Sequence, residues 1–235
     1  MAIFLGPSLV YVKPRLPVTL SSTDHARRHF DYSFIKSPVF LAFQAGNTLQ
    51  GMGYFIPGIY LPMYSRSIGT NDNTTTATIS LLNAISVFGC IFVGFLVDRV
   101  NVTAVLFILA VGSFISVFLV WGFSSNAPVL LAFCGMYGFF AGPYTTTYTG
   151  VVKEVQRQFP DADGGLIMGL LVMGRGIGSV AAGPISERLL QLANKMPNAN
   201  VTSGYGSSYE PLIIFTGICV AFGGVGFGAK RLGWM

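Results

Sequence analysis

One arginine, Arg175, stands alone inside the otherwise uncharged and mostly apolar run from Gly164 to Ser186. An arginine at the centre of a bilayer costs about 2.5–3.5 kcal/mol on insertion scales, so it should face a partner or a wet cavity. Two chemistries fit. In the first, Arg175 is the counter-ion of an anionic solute, whose carboxylate a guanidinium grips through two parallel hydrogen bonds. In the second it is structural, bonded to backbone carbonyls of a neighbouring helix that Gly174 and Gly176 allow to come close. An internal ion pair is hard to build, because no Asp or Glu falls inside a candidate span.

The other polar residues of apolar runs sort by helical spacing, since positions three or four apart share a face. Gln44, Asn47, Gly51 and Tyr54 form one such face; Asn83, Val87, Cys90 and Gly94 form a second. Tyr137, Ala141, Tyr144 and Tyr148 form a third, and Met168, Val172 and Ser179 fall with Arg175 on a fourth. Arg175, Asn47, Gln44, Tyr144, Tyr148 and Asn83 are the candidate solute-binding residues. Their amide, hydroxyl and ring groups can line a path for a small organic molecule, or equally bond one packed helix to another.

Enzyme chemistry finds little support. His25 and His29 are four apart, as on a metal-binding helix, but no carboxylate completes the set and Arg27 and Arg28 between them repel a cation. No cofactor or metal is expected. Gly174, Gly176 and Gly178 lie in an apolar helix and do not make a phosphate loop. Cys90, Cys134 and Cys219 all fall within apolar runs, where they act as small buried residues.

The elements that hold these residues follow from charge spacing. Only 10% of the 235 residues are charged, against ~25% in soluble domains, while 52% are hydrophobic. A crossing helix needs about 20 apolar residues. Uncharged gaps of 29 residues (Lys36 to Arg66), 25 (Asp72 to Asp98) and 19 (Glu210 to Lys230) each fit one crossing. The 53-residue gap from Arg99 to Lys153 is broken at Ser124-Ser125-Asn126-Ala127-Pro128 and gives two. With the run that holds Arg175, the expectation is an all-α polytopic membrane protein with six spans, at about 38–64, 76–97, 102–123, 128–151, 164–186 and 211–229. The third, Val105 to Val120, is almost wholly aliphatic and aromatic and is expected outside, facing lipid. Gly138-x-x-x-Gly142 and Gly174-x-x-x-Gly178 are small-residue pairs suited to close helix contact.

Six crossings put both termini on one side. Ten of the 14 basic residues gather there, among them Lys13, Arg15, Lys36, Arg99, Lys153 and Lys230, whereas the other side has Arg66, Arg188 and Lys195. The positive-inside rule makes the basic side cytoplasmic, and the plasma membrane is the expected location. The net charge of +5 is thereby spent at membrane edges, and no nucleic-acid partner is expected. Asn73 and Asn200 head glycosylation sequons in the two longer outside loops, and Asn101 heads one inside that should stay bare. Met1–Val12 is apolar but too short to cross and lacks the basic start of a signal peptide, so residues 1–36 read as the stub of a preceding helix and a basic cytoplasmic linker.

A basic linker, six helices, and Gly94-Phe95-Leu96-Val97-Asp98-Arg99 at the end of the second resemble the C-terminal half of a major facilitator superfamily transporter. The G-x-x-x-D-R pattern is that superfamily's inner-loop motif. Lys13-Pro14-Arg15-Leu16-Pro17, Tyr137-Gly138-Phe139-Phe140-Ala141-Gly142 and Gly174-Arg175-Gly176-Ile177-Gly178 with Gly183-Pro184 resemble, more narrowly, its fungal monocarboxylate-transporter-like family. The resemblance implies secondary transport of a small organic anion by alternating access, with proton symport as the coupling. Alternatives are a same-fold carrier of a vitamin or secondary metabolite, or a truncated non-transporting fragment. It also implies a missing partner, either an N-terminal six-helix half or a second copy, because the solute site of such carriers lies between halves. Gly94, Asp98 and Arg99 then form a conformational motif whose aspartate latches against a helix dipole of the opposite half. Without that half, Asp98 is expected to lack its partner.

Overall fold

The computed structural model describes residues 32–193 and 204–224, and among them every regular element is helical. A 3-10 turn, Ser33–Lys36, leads into α1 (Pro38–Ser67), α2 (Asp72–Arg99), α3 (Val102–Ile115), α4 (Ala127–Ala141), α5 (Tyr148–Gln158), α6 (Gly164–Ala193) and α7 (Glu210–Phe222). Local chemistry sets the ends. Ser37 Oγ accepts from the Val39 N–H at 3.3 Å with Pro38 at the first helical position. Asp163 Oδ1 accepts from Gly165 and Leu166 N–H at 2.7 and 3.1 Å and starts α6. Between α1 and α2, Gly69 takes φ +77°, which lets the chain reverse within a few residues.

Four helical stretches are long and apolar enough to cross a membrane: Asp72–Arg99, Val102–Trp121, Ala127–Gln158 and Gly164–Ala193. The last described one, Glu210–Phe222, is apolar but shorter: it ends in a turn at Gly223 and Gly224, and the remainder of the expected span to 229 lies outside the described residues. At 30 residues α1 has the length to cross but is less apolar, since it carries Gln44, Asn47, Thr48 and Gln50. Its position explains that composition. It packs most extensively on α6, next on α7, and also touches α2, α4 and α5, so its polar groups meet other helices.

The structure redraws several expected boundaries. The second helix begins at Asp72, four residues early, and Asn73 therefore lies exposed in its first turn, not in a loop. The fourth span is two α-helices joined by a 3-10 segment, Gly142–Thr147, because Pro143 supplies no backbone N–H. The fifth continues through Pro184 to Ala193. The third expectation needs correction: half of the α3 stretch is buried, against 17% for α2. Val105, Leu106, Leu109 and Val117 pack inward, while Phe107, Ile108, Val111 and Phe114 stay exposed, so only one face is open to lipid. A π-helical turn, Ser116–Trp121, ends this helix and delivers Trp121 into the core. Residues 1–31, the expected stub and most of the linker, and Asn200 with its sequon lie outside the described residues.

Two glycine pairs set the helix spacing. A Cβ at Gly178 would collide with the Thr48 carbonyl of α1, and one at Gly138 with the Leu82 carbonyl of α2. Backbone therefore meets backbone along α1–α6 and α2–α4, as small-residue helix pairs do in membranes. Two apolar clusters fill the interior. One surrounds Trp121 with Ile56, Tyr64, Leu130, Phe133 and Tyr137; the other joins Phe40, Phe43, Leu106, Tyr144, Tyr148 and Leu171.

Candidate functional site

Arg175 lies where these two clusters meet. Its Nη1 donates to Gln50 Oε1 of α1, and its guanidinium carbon lies 4.8 Å from the Tyr54 ring centroid and 5.9 Å from that of Tyr144. Tyr54 packs against the first cluster, and Tyr144 belongs to the second. Gln50 is itself fixed, since its Nε2 donates to the Ala141 carbonyl at 3.3 Å where α4 gives way to the 3-10 segment. Three elements thus orient the charge: α1 through Gln50 and Tyr54, the α4 end through Ala141, and the 3-10 segment through Tyr144. All of these contacts are neutral. Among the described residues no carboxylate pairs with Arg175.

The α1–α6 seam beneath is held by amides. Asn47 Nδ2 donates to the Leu171 carbonyl at 2.6 Å, while its Oδ1 accepts from the Tyr148 hydroxyl at 2.6 Å. Gln44 Nε2 donates to the Leu170 carbonyl at 2.8 Å, and its Oε1 is buried without a partner. Both carbonyls lie about one turn before Arg175, so these bonds fix the stretch of α6 that aims the guanidinium. Tyr144 donates to the Gly223 carbonyl at 3.1 Å, tying the site to the end of α7. Tyr137 donates to the Gly53 carbonyl at 3.3 Å and its ring stacks on Tyr54 at 6.3 Å.

The structure therefore brings together five of the six expected binding residues: Arg175, Asn47, Gln44, Tyr144 and Tyr148. Of these, Asn47, Gln44, Tyr144 and Tyr148 each use a polar group to bond another element. Asn83 stands apart, exposed on α2, and its Nδ2 donates to the Ile79 carbonyl one turn back at 3.0 Å. It lines a partly open cavity of about 320 Å³ between α1 and α2, together with Tyr54, Phe55, Gly58, Ile59 and Leu82. Gln50 was missed by the sequence reading, although it lies three residues from Asn47 and at the spacing that would have added it to that face.

The conformational motif sits at the opposite end of α2. The opposite half's helix dipole, the partner expected for Asp98, is no part of this chain; within the chain the Asp98 carboxylate is 3.6 Å from Lys153 Nζ, midway along α5. The reason is that Lys153 follows the 3-10 segment packed against α2, which places it beside the α2 end. The Arg99 guanidinium lies 4.1 Å above the Phe95 ring, and a Cβ at Gly94 would make only ordinary contact with Thr146. Among the described residues no group of His, Cys, Asp and Glu is arranged to hold a metal, and His25 and His29 lie outside them.

Residues 1–194 match the family model of the Major Facilitator Superfamily. The chain is 27% identical over 224 residues to the MFS transporter asaE of Aspergillus flavus, covering 95% of this chain and 46% of that protein. It is 30% identical over 197 residues to the agnestins efflux protein AgnL12 of Paecilomyces divaricatus, covering 83% and 41%. Against Monocarboxylate transporter 12 of Homo sapiens it is 24% identical over 187 residues, covering 78% and 36%. No solved structure matches. The chain spans less than half the length of these relatives. With its helical, multi-pass membrane architecture, this chain belongs to the Major Facilitator Superfamily.

Proposed function

We propose that the chain forms one six-helix half of a secondary active transporter, and that Arg175 receives the anionic group of an organic solute. The observation that carries this reading is a mid-span guanidinium oriented only by neutral groups, with no carboxylate partner among the described residues. A charge used purely for structure is normally matched, because an uncompensated ion in a low-dielectric setting is costly. A shell of one amide and two rings orients the charge without cancelling it. Asn47, Gln44 and Tyr148 act here as positioning residues, and Tyr144 as both a contact and a brace.

On this reading the second wall of the site comes from an N-terminal six-helix half or a second copy, and the two halves rock about the solute. The residues of 37–235 form the six-helix domain. The basic bias supports cytoplasmic termini, with Asn73 and Asn200 on the opposite side, and the membrane of this reading is the plasma membrane. The Asp98–Lys153 pair supports a role for the inner-loop motif in favouring one conformation. The chain moves its solute without making or breaking bonds. Any coupling proton would be carried by the other half, since no Asp or Glu lies mid-span in the described helices.

A second reading concerns the solute's size. Relatives named as efflux proteins, and the tyrosines around Arg175, favour a ring-bearing metabolite over a short monocarboxylate. Transport by the complete carrier in proteoliposomes tests the shared core of both readings. Arg175→Gln should abolish movement of a carboxylate solute and spare that of its neutral amide, while Arg175→Lys should retain part of it, keeping the charge but losing the two-pronged grip. Carboxylate transport by Arg175→Gln at the unsubstituted rate would overturn both.

A further inference from the structure

The cavity between α1 and α2 begins at the residue that touches Arg175. Tyr54 lies against the guanidinium and also lines the 320 Å³ space, whose other walls are Phe55, Gly58, Ile59, Leu82 and Asn83. On α1, Gly51 is packed against Arg175, and Gly58 is exposed, with nothing within 4 Å of a Cβ built on it. Seven residues separate the two, which at 1.5 Å per residue is ~10 Å along one face of the helix, with Tyr54 between them. A short-chain acid spans well under half of that. The volume is in the range of pockets that hold drug-sized ligands, ~300–1,000 Å³. Asn83 gives its amide nitrogen to Ile79, and its carbonyl oxygen has no protein donor among the described residues.

We propose that this cleft is the subsite for the body of the solute, which makes the solute an elongated amphipathic organic acid. The anionic group sits on Arg175, an apolar or aromatic body lies along Tyr54, Phe55 and Ile59, and a hydroxyl or N–H on that body donates to Asn83. The occupant follows from charge and shape together: the cleft is lined largely by apolar side chains, shares Tyr54 with the guanidinium, and carries a hydrogen-bond acceptor on its α2 wall. This inference rests on the role given to Arg175 above and adds the solute's apolar body and its second polar group.

Gly58 provides the test, because open space around it lets a side chain enter the cleft without striking backbone. The complete carrier is reconstituted in proteoliposomes and offered lactate, a naphthoate, and a hydroxynaphthoate whose hydroxyl is remote from the carboxylate. Gly58→Leu should lower naphthoate transport about tenfold or more while lactate changes less than about twofold, as steric discrimination in apolar pockets does. Asn83→Leu, at an exposed position that tolerates change, should remove several-fold of any preference for the hydroxynaphthoate over the naphthoate. If Gly58→Leu protein reaches the membrane and moves naphthoate normally, the cleft belongs to a lipid chain or to the other half, and the subsite is overturned. If Gly58→Leu does not accumulate, an unchanged hydroxynaphthoate preference in Asn83→Leu overturns it instead. Arg175→Gln separates the two levels: loss of both anions there, with normal naphthoate transport in Gly58→Leu, refutes the subsite alone, whereas normal transport in Arg175→Gln refutes the anion site itself.

Discussion

At the scale of single residues, the site is a charge held by groups that do not neutralise it. Gln50 is buried at 2% exposure, and both ends of its amide are committed, Oε1 to Arg175 and Nε2 to Ala141. Replacing it with Leu leaves the Ala141 bond unmade and the guanidinium without its fixed acceptor, which should cost about 1–3 kcal/mol of stability. Gln50→Leu should therefore lower the thermal midpoint of the purified carrier and also raise the solute KM; a raised KM with unchanged midpoint would place Gln50 in solute contact, contrary to the bracing role. Arg175 was legible from the sequence because a lone charge interrupts an apolar run. Its neighbours were harder to choose, since helical spacing says which residues share a face but not which of two polar groups on adjoining faces turns toward the charge. Asn83 illustrates this: its type and depth matched the others, yet it lies on a helix that packs on α4, so it lines the α1–α2 cleft and not the seam around Arg175.

At the scale of elements, glycine placement decides how closely helices approach. Gly178 and Gly138 each face a carbonyl on the partner helix, so even a methyl group must push two backbones apart. Gly178→Val and Gly138→Val should each cost about 1–3 kcal/mol through overpacking. A fall in thermal midpoint or in the amount of folded protein checks this, and Gly58→Val, at a glycine with open space around it, serves as the control that should be tolerated. These pairs could be seen in the sequence as small residues four apart, and the structure assigns the partner of each. The division of the fourth span at Gly142–Thr147 follows from Pro143, where one unbroken span was expected. The inward face of α3 was hidden because an all-apolar helix carries no periodic contrast to separate a lipid face from a packed one.

At the scale of the whole chain, apolar runs and sparse charges were enough to read an all-helical membrane architecture, and the Gly94 to Arg99 motif pointed to its superfamily. Composition is a weaker guide for the helix at the centre of the packing. The first helix is not apolar enough to stand among the four clear membrane-crossing stretches, because its polar groups serve the seam with α6 and the site. Asp98 and Lys153 are both largely exposed, so their pair contributes under about 1 kcal/mol to folding. Its effect belongs to conformational balance. Asp98→Asn should leave the thermal midpoint unchanged and shift the ratio of inward- to outward-facing carrier, read by labelling of cysteines introduced on either side; an unchanged ratio would reduce the pair to a surface contact.

The central claim is that the guanidinium of Arg175 meets an anion in mid-membrane. Modification by phenylglyoxal, mapped by mass spectrometry on the reconstituted carrier, reads that group directly. The account predicts that Arg175 reacts in the free protein, that an aryl carboxylate protects it, and that the corresponding neutral amide does not. Reaction at Arg175 that proceeds equally with and without the carboxylate, or is blocked equally by the amide, would contradict it.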